Sequence, residues 1–316
     1  MSRMTDKTKI KKSLEVARMH YEAGMGQVEI AKQLGLSRPT VSRLLQFAQD
    51  NGIVQIKIVD PFSSTQELEK MLCEKYQLNE AHVVYAEYEN YQNVTQQLGM
   101  YTAKYLAKVV KDGDLIGVSW GKTLNEVAKA LTPQPVEDVQ VVELKGSVTY
   151  SPTPVFDEEV LMKFGNAFHT TPHEFPLPVV FENQTTHDVV MQDRYIKRLI
   201  NLGKEANIAI FTAGTIRDDA LLFQTGYFDQ GDIARIQKTA VGDICSRFYD
   251  QDGQIAVPEV NNRTVGIDLA ELRNKERAVL VAGGKWKYEA IKGALAGQYA
   301  NCLITDVATA QRLVDE

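Results

Sequence analysis

The chain has 316 residues, 44 % of them hydrophobic, which is more than one ordinary domain and enough for a large core. No run approaches the roughly 20 apolar residues that span a bilayer, and Met1 to Lys12 is polar and basic without the apolar stretch of a signal peptide. The expectation is a cytoplasmic protein with no membrane association. The net charge of −6 argues against nucleic acid, yet residues 1–60 carry ten Lys and Arg against six Asp and Glu, +4, leaving −10 on the other 256.

Only the first piece is therefore suited to phosphate backbones. From Ser13 to Glu22 the positions Leu14, Ala17, Arg18 and Tyr21 recur at helical spacing, and Gly24 to Gly26 ends the run. A second helix from Gln27 places Val28, Ile30, Ala31 and Leu34 on one stripe before Gly35 stops it. Ser37 is a candidate N-cap for a third helix, with Pro39 in its first turn and Val41, Leu44, Leu45, Phe47 and Ala48 at helical spacing. Gln27 to Leu45 thus reads as a helix-turn-helix: small Ala31 at the crossing, Gly35 at the turn, Val41 and Leu44 underneath. Its outward residues Ser37, Arg38, Pro39, Thr40, Ser42 and Arg43 are candidate contacts to phosphates and base edges of double-stranded DNA. The alternative is an ordinary three-helix packing unit with solvated arginines.

Ile53 to Val59 alternates as a strand, a wing or a connection, and Asp60-Pro61 ends it, which sets domains at 1–60 and 61–316. Ser63-Ser64 caps a helix from Thr65 to Tyr76 that joins the domains or helps them dimerise. Beyond it, strands are expected at Ala81–Val84, Leu115–Ser119, Val139–Leu144, Ile208–Thr212, Thr264–Ile267, Ala278–Ala282 and Cys302–Thr305. Helical periodicity fills 94–110, 123–131, 158–168, 188–202 and 287–295. This order predicts an α/β domain with a doubly wound, mainly parallel sheet, whose ligands sit at the carboxyl ends of the strands.

Those ends carry the unusual residues. Trp120-Gly121-Lys122-Thr123 runs straight from a strand into a helix, so glycine, hydroxyl, ammonium and helix amides converge as a phosphate cradle. Gly214-Thr215 and Gly283-Gly284-Lys285-Trp286-Lys287 are similar turns; tight-turn glycines with solvated lysines are the bland alternative. Lys145 follows an apolar strand and, if desolvated, can pair with a phosphate or attack an aldehyde. Asp243 and Arg247 alternate with apolar residues in Gly242 to Phe248; Asp243 is a candidate partner for a sugar hydroxyl, and a structural salt bridge between the two is the alternative. Cys73, Cys245 and Cys302 are odd in number and unpaired in spacing, hence reduced thiols. His169 and His173 lack further ligands, so no metal and no cofactor is expected.

The helix-turn-helix from Ile30-Ala31 through Leu36-Ser37-Arg38-Pro39-Thr40-Val41-Ser42-Arg43-Leu44-Leu45, the Gly117 to Thr123 segment, Gly242 to Phe248 and Val281-Ala282-Gly283-Gly284 together resemble the SorC family of sugar-responsive transcription regulators, over nearly the whole chain. Leu144-Lys145-Gly146, Leu177 to Phe181 and Asp243 to Phe248 resemble its deoxyribonucleoside-regulator subgroup. The resemblance implies an effector domain related to sugar-phosphate isomerases and deaminases, homodimers or homotetramers, and a phosphorylated sugar as effector. For the subgroup it implies deoxyribose 5-phosphate, which switches off repression. Many relatives carry another residue at the Lys145 position, and an amine suits an aldehyde, so an imine between Lys145 and the sugar's C1 is expected. A regulator rather than an enzyme is the reading; a sugar-phosphate enzyme with an added DNA-binding module is the alternative, with Asp243, Glu143 or His169 as its base.

Overall fold

The computed structural model of the chain describes residues 6–54, 65–88, 90–148 and 154–316. The chain divides into two compact units, Met1–Asp60 and Pro61–Glu316. In the first unit, helix α1 (Asp6–Ala17) continues through a π turn at Arg18–Glu22, followed by α2 (Gln27–Leu34) and α3 (Arg38–Asp50). Gly35 ends α2 at φ 62°, its N–H reaching the Ala31 carbonyl. Ser37 opens α3 by accepting the Thr40 N–H on its hydroxyl. The core is Val16, Ala17, Ile30, Ala31, Val41, Leu44, Leu45 and Ala48.

The first helix buries Ala17 as its sequence suggests, with Val16 beside it, but not Leu14 or Tyr21, which are exposed, as is Val28 at the start of α2. The π turn takes more residues per revolution than an α-helix and rotates Tyr21 off the buried stripe. The strand expected over Ile53–Val59 lies, from position 55 onward, outside the described residues, as do Ser63 and Ser64.

The second unit runs α4 (Thr65–Tyr76), β1 (Glu80–Val84), α5 (Tyr91–Val109), β2 (Leu115–Val118), α6 (Lys122–Ala130), β3 (Gln140–Glu143), α7 (Asp157–Ala167), α8 (Gln184–Val190) and α9 (Arg194–Glu205). It continues with β4 (Ile208–Phe211), α10 (Gln230–Thr239), β5 (Gly242–Ile244), β6 (Arg247–Tyr249), α11 (Pro258–Asn261), α12 (Leu269–Leu272), β7 (Arg277–Val281), α13 (Tyr288–Ala296), β8 (Cys302–Asp306) and α14 (Val307–Asp315). Six strands form one parallel sheet in the order β1-β8-β7-β4-β2-β3, and β5 and β6 pair as a separate antiparallel hairpin.

Both faces of the sheet are covered, which is why its strands read as continuous apolar runs. On β4, Ile208 and Ile210 enter one core with Leu98, Leu124 and Phe164, while Ala209 and Phe211 enter the other with Leu72, Ile291 and Leu313. Three expectations need correction. The helix expected over 188–202 is two, because Asp193 accepts the Tyr195 and Ile196 N–H groups and starts a new helix. Thr264–Ile267 is no sheet strand but makes single bridges to Val180 and Lys145, and the Arg247 guanidinium takes the Gly266 and Ile267 carbonyls. Gly242 to Phe248 is a hairpin rather than one strand, with Cys245 and Ser246 at its tip.

Candidate functional site

From β2 the chain moves out to β3 and then returns to β4 on the other side of β2, so the winding reverses between β2 and β4. In open α/β sheets that reversal leaves a crevice at the carboxyl ends of the strands. A cavity of about 290 Å³ opens there. Ser119 to Thr123 after β2, Lys145 after β3, Thr212, Gly214, Thr215 and Arg217 after β4, Trp286 and Lys287 after β7, and Asp243 and Cys245 of the hairpin all line it. Tyr91 and Asp219 to Leu222 complete the wall.

The site is built from strained or crowded backbone. Gly121 sits at φ 138°, which favours glycine, and nothing would touch a Cβ there, so its peptide faces open space at the start of α6. Gly214 is required for a different reason: a Cβ would lie 2.0 Å from Asp243 Oδ1. The two residues are also bridged, Gly214 N–H to the Asp243 carbonyl at 2.8 Å. Cys245 and Ser246 adopt φ 50° and 66° in succession, and the Ser246 N–H donates to Asp243 Oδ2 at 3.1 Å, which fixes the carboxylate.

The charged groups are drawn out of water. Lys145 is 4 % exposed, and its Nζ stands 3.5 Å from the centroid of the Trp120 ring. Burial holds its pKa below the usual lysine value, and Asp243 pulls the other way. Burial raises the Asp243 carboxyl, with Lys145 and Lys287 opposing. Lys287 Nζ donates to Thr212 Oγ1 at 2.9 Å and Thr123 Oγ1 at 3.1 Å, bridging the β4 and β2 loops. Burial pushes the Cys245 thiol up to about 11, against the Lys145 charge and a hydrogen bond from Ser119. At the rim, Arg217 lies 4.1 Å from the half-exposed Trp286 ring and pairs with Asp219.

Of the twelve residues expected around the effector, Gly121, Lys122, Thr123, Lys145, Gly214, Thr215, Asp243 and Lys287 line the cavity. Arg247, Gly283, Gly284 and Lys285 do not. Arg247 is buried, bonded to Asn261, Gly266 and Ile267 and paired with Asp268 at 2.9 Å; it makes no salt bridge with Asp243. Gly284 N–H donates to Asp306 and Thr309, so the glycine pair is packed on the start of α14. The Lys285 amine lies 5.5 Å from the Trp286 ring centroid, outside the cavity wall. Sequence reasoning overlooked Ser119, Trp120, Tyr91, Thr212, Arg217, Cys245 and Trp286 as site residues. One signal was available: both tryptophans of the chain lie in glycine-containing loops that follow sheet strands, Trp120 two residues after β2 and Trp286 five residues after β7, and both line the cavity.

At the other end of the sheet, Glu80, His82 and Cys302 bring three metal-type donors within 4.8 Å of one another. Both Glu80 oxygens are engaged, by Arg277 on one side and by Tyr105 and His82 on the other, so the guanidinium already supplies the countercharge. His169 and His173 belong to no such group among the described residues. In the first unit, Ser37, Arg38, Pro39, Ser42 and Arg43 are all exposed on one side of α3, and Thr40 is half-buried beneath them.

Residues 60–315 match the Sugar-bind family, described as a “Putative sugar-binding domain”, and residues 19–55 match a winged helix-turn-helix DNA-binding family. The deoxyribonucleoside regulator of Bacillus subtilis (strain 168) is 49 % identical over 98 % of this chain and 99 % of its own length. The chain belongs to the SorC family. The sorbitol operon regulator of Klebsiella pneumoniae is 29 % identical over 98 % of the chain and all of that protein. The crystal structure of full-length SorC from that organism superposes with a TM-score of 0.72, at 27 % identity, over 97 % of this chain and 99 % of its own. This SorC-family chain is accordingly a DNA-binding transcription regulator with a sugar-binding domain, and no helix among its described residues is long and apolar enough to cross a membrane.

Proposed function

We propose that this SorC-family regulator represses genes of deoxyribonucleoside or deoxyribose catabolism and leaves its operator when deoxyribose 5-phosphate binds. The observation that carries the reading is Lys145: a buried amine, with no hydrogen-bond acceptor among the described residues, facing a cavity that also holds a phosphate-type cradle. The phosphate sits against the amides of Gly121 to Thr123 with Lys122 and Lys287 as countercharges. The aldehyde carbon meets Lys145 and forms an imine, while Asp243 accepts from a sugar hydroxyl. The 49 % identity to a protein named deoxyribonucleoside regulator supports the choice of sugar. Thr215 and Gly214 complete the wall; Arg247, Gly283, Gly284 and Lys285 act from behind it.

In this reading residues 1–60 are the DNA-binding domain and 61–316 the effector and oligomerisation domain, working in the cytoplasm without catalysis. Homodimers or homotetramers place two copies of α3 in successive major grooves of a near-palindromic operator. Ser37, Arg38, Pro39, Thr40, Ser42 and Arg43 meet phosphates and base edges there. The test is a calorimetric titration of the full chain with deoxyribose 5-phosphate, ribose 5-phosphate and fructose phosphates, with electrospray mass followed in parallel. Selective binding of the deoxy sugar with loss of water supports the proposal, and borohydride then fixes the adduct on Lys145. Preferential binding of a ketose phosphate leaves the regulator intact and discards the deoxyribose assignment.

A further inference from the structure

Trp120 is 2 % exposed, and Lys145 Nζ lies over its ring. The indole cannot turn aside, because its Nε1–H donates to the Gly146 carbonyl at 3.0 Å and so ties the β2 loop to the residue after the lysine. Both side chains border the cavity. A π face attracts positive charge on a nearby nitrogen, and the attraction grows where water is excluded.

Reaction with an aldehyde changes the charge on this nitrogen when it starts from the neutral amine. Burial favours the neutral amine, the form whose lone pair can add to an aldehyde. In that addition the carbonyl electron pair moves to oxygen. The oxygen leaves as water, carrying one proton from the nitrogen and one from the medium. The nitrogen keeps one proton, a double bond to carbon and a positive charge. The indole gains little from the neutral amine that adds to the aldehyde and much from the cationic product, so it favours the covalent adduct over the reactive amine with sugar docked beside it.

We infer that Trp120 is a positioning residue for covalent effector capture, its π face stabilising the protonated imine on Lys145 and committing aldehyde-bearing sugar phosphates to the adduct. The inference rests on the reading of Lys145 as the amine that meets the aldehyde. It also gives the site a means of discrimination that does not depend on shape. A sugar phosphate with no free carbonyl has the same cradle available but makes no cation for the ring to hold.

The experiment uses full-length protein carrying Trp286→Phe, which leaves Trp120 as the single tryptophan. Fluorinated tryptophans incorporated at that position drain the π face stepwise with little change of shape. Affinities are measured for deoxyribose 5-phosphate and for its reduced alcohol, 2-deoxyribitol 5-phosphate, and adduct is trapped with borohydride. Expected is a stepwise loss of aldehyde affinity and trapped adduct, roughly tenfold across the series, with alcohol affinity unchanged. Equal losses for both ligands, or an adduct yield indifferent to fluorination, would overturn the role of Trp120 and leave the imine standing. If the unfluorinated protein yields no adduct, the Lys145 reading itself falls and this inference with it.

Discussion

Glu143 ends β3 two residues before Lys145 and is 4 % exposed, with Oε2 accepting the Phe175 N–H at 2.8 Å. Burial lifts its carboxyl from the ordinary 4.5 to about 8. In the unfolded chain the same group ionises near 4.5. Between those values the folded protein holds a proton that the unfolded chain has released, so stability falls as pH rises through that window. The slope is at most about 1.4 kcal/mol per pH unit, and it vanishes below the lower value and above the upper. Glu143→Gln keeps an acceptor for Phe175 and cannot ionise. Its stability relative to the parent should therefore climb between about pH 5 and pH 8, as measured by urea unfolding across that range. A difference that stays constant with pH would mean that Glu143 is ionised in the folded protein.

At the scale of elements, the β5–β6 hairpin concentrates the strain of the site. A two-residue turn with both φ positive normally uses Asn-Gly, whereas here Cys245 and Ser246 fill it. Each left-handed non-glycine residue costs about 1–2 kcal/mol, and the buried Ser246 Oγ has no hydrogen-bond partner among the described residues to offset that. Ser246→Gly should raise stability by about 1 kcal/mol while keeping the backbone N–H that holds Asp243. A shift of the urea midpoint to higher concentration with unaltered slope is the expected result; a loss of stability would show that the hydroxyl packs better than its missing bond suggests. The same turn explains what the sequence conceals. The apolar runs of β2, β4, β7 and β8 are legible because each strand is buried on both faces, and the loops after β2, β4 and β7 are legible because glycine marks them. The turn of the hairpin, Cys245-Ser246, has neither Gly nor Asn, and so the segment reads as one alternating strand. Arg247 carries a site-like pattern because its neighbours are apolar, but its guanidinium serves carbonyls some 14 to 20 residues away in sequence, a contact no local pattern encodes. Trp120 meets Lys145 only because β2 and β3 pair in register, Val118 against Glu143.

For the whole molecule, the proposed function puts the charge asymmetry and the cavity into one thermodynamic cycle. Residues 1–60 hold +4 and the remainder −10, so only the first unit attracts the DNA backbone and its contacts set the salt dependence of operator binding. The effector can loosen that binding only through a difference in its own affinity for the DNA-bound and free forms. If deoxyribose 5-phosphate lowers operator affinity by some factor, operator DNA must lower affinity for the sugar by the same factor, typically about 5- to 150-fold for coupled sites. The measurement is a pair of titrations at fixed salt: operator into protein with and without saturating sugar, and sugar into protein with and without operator. Equal factors are expected when effector and operator select between two forms of one assembly. Unequal factors would show that the assembly itself changes on binding, so that the two titrations do not share end states. The repeat at different protein concentrations then separates a change of oligomer, which shifts with concentration, from a third conformation, which does not.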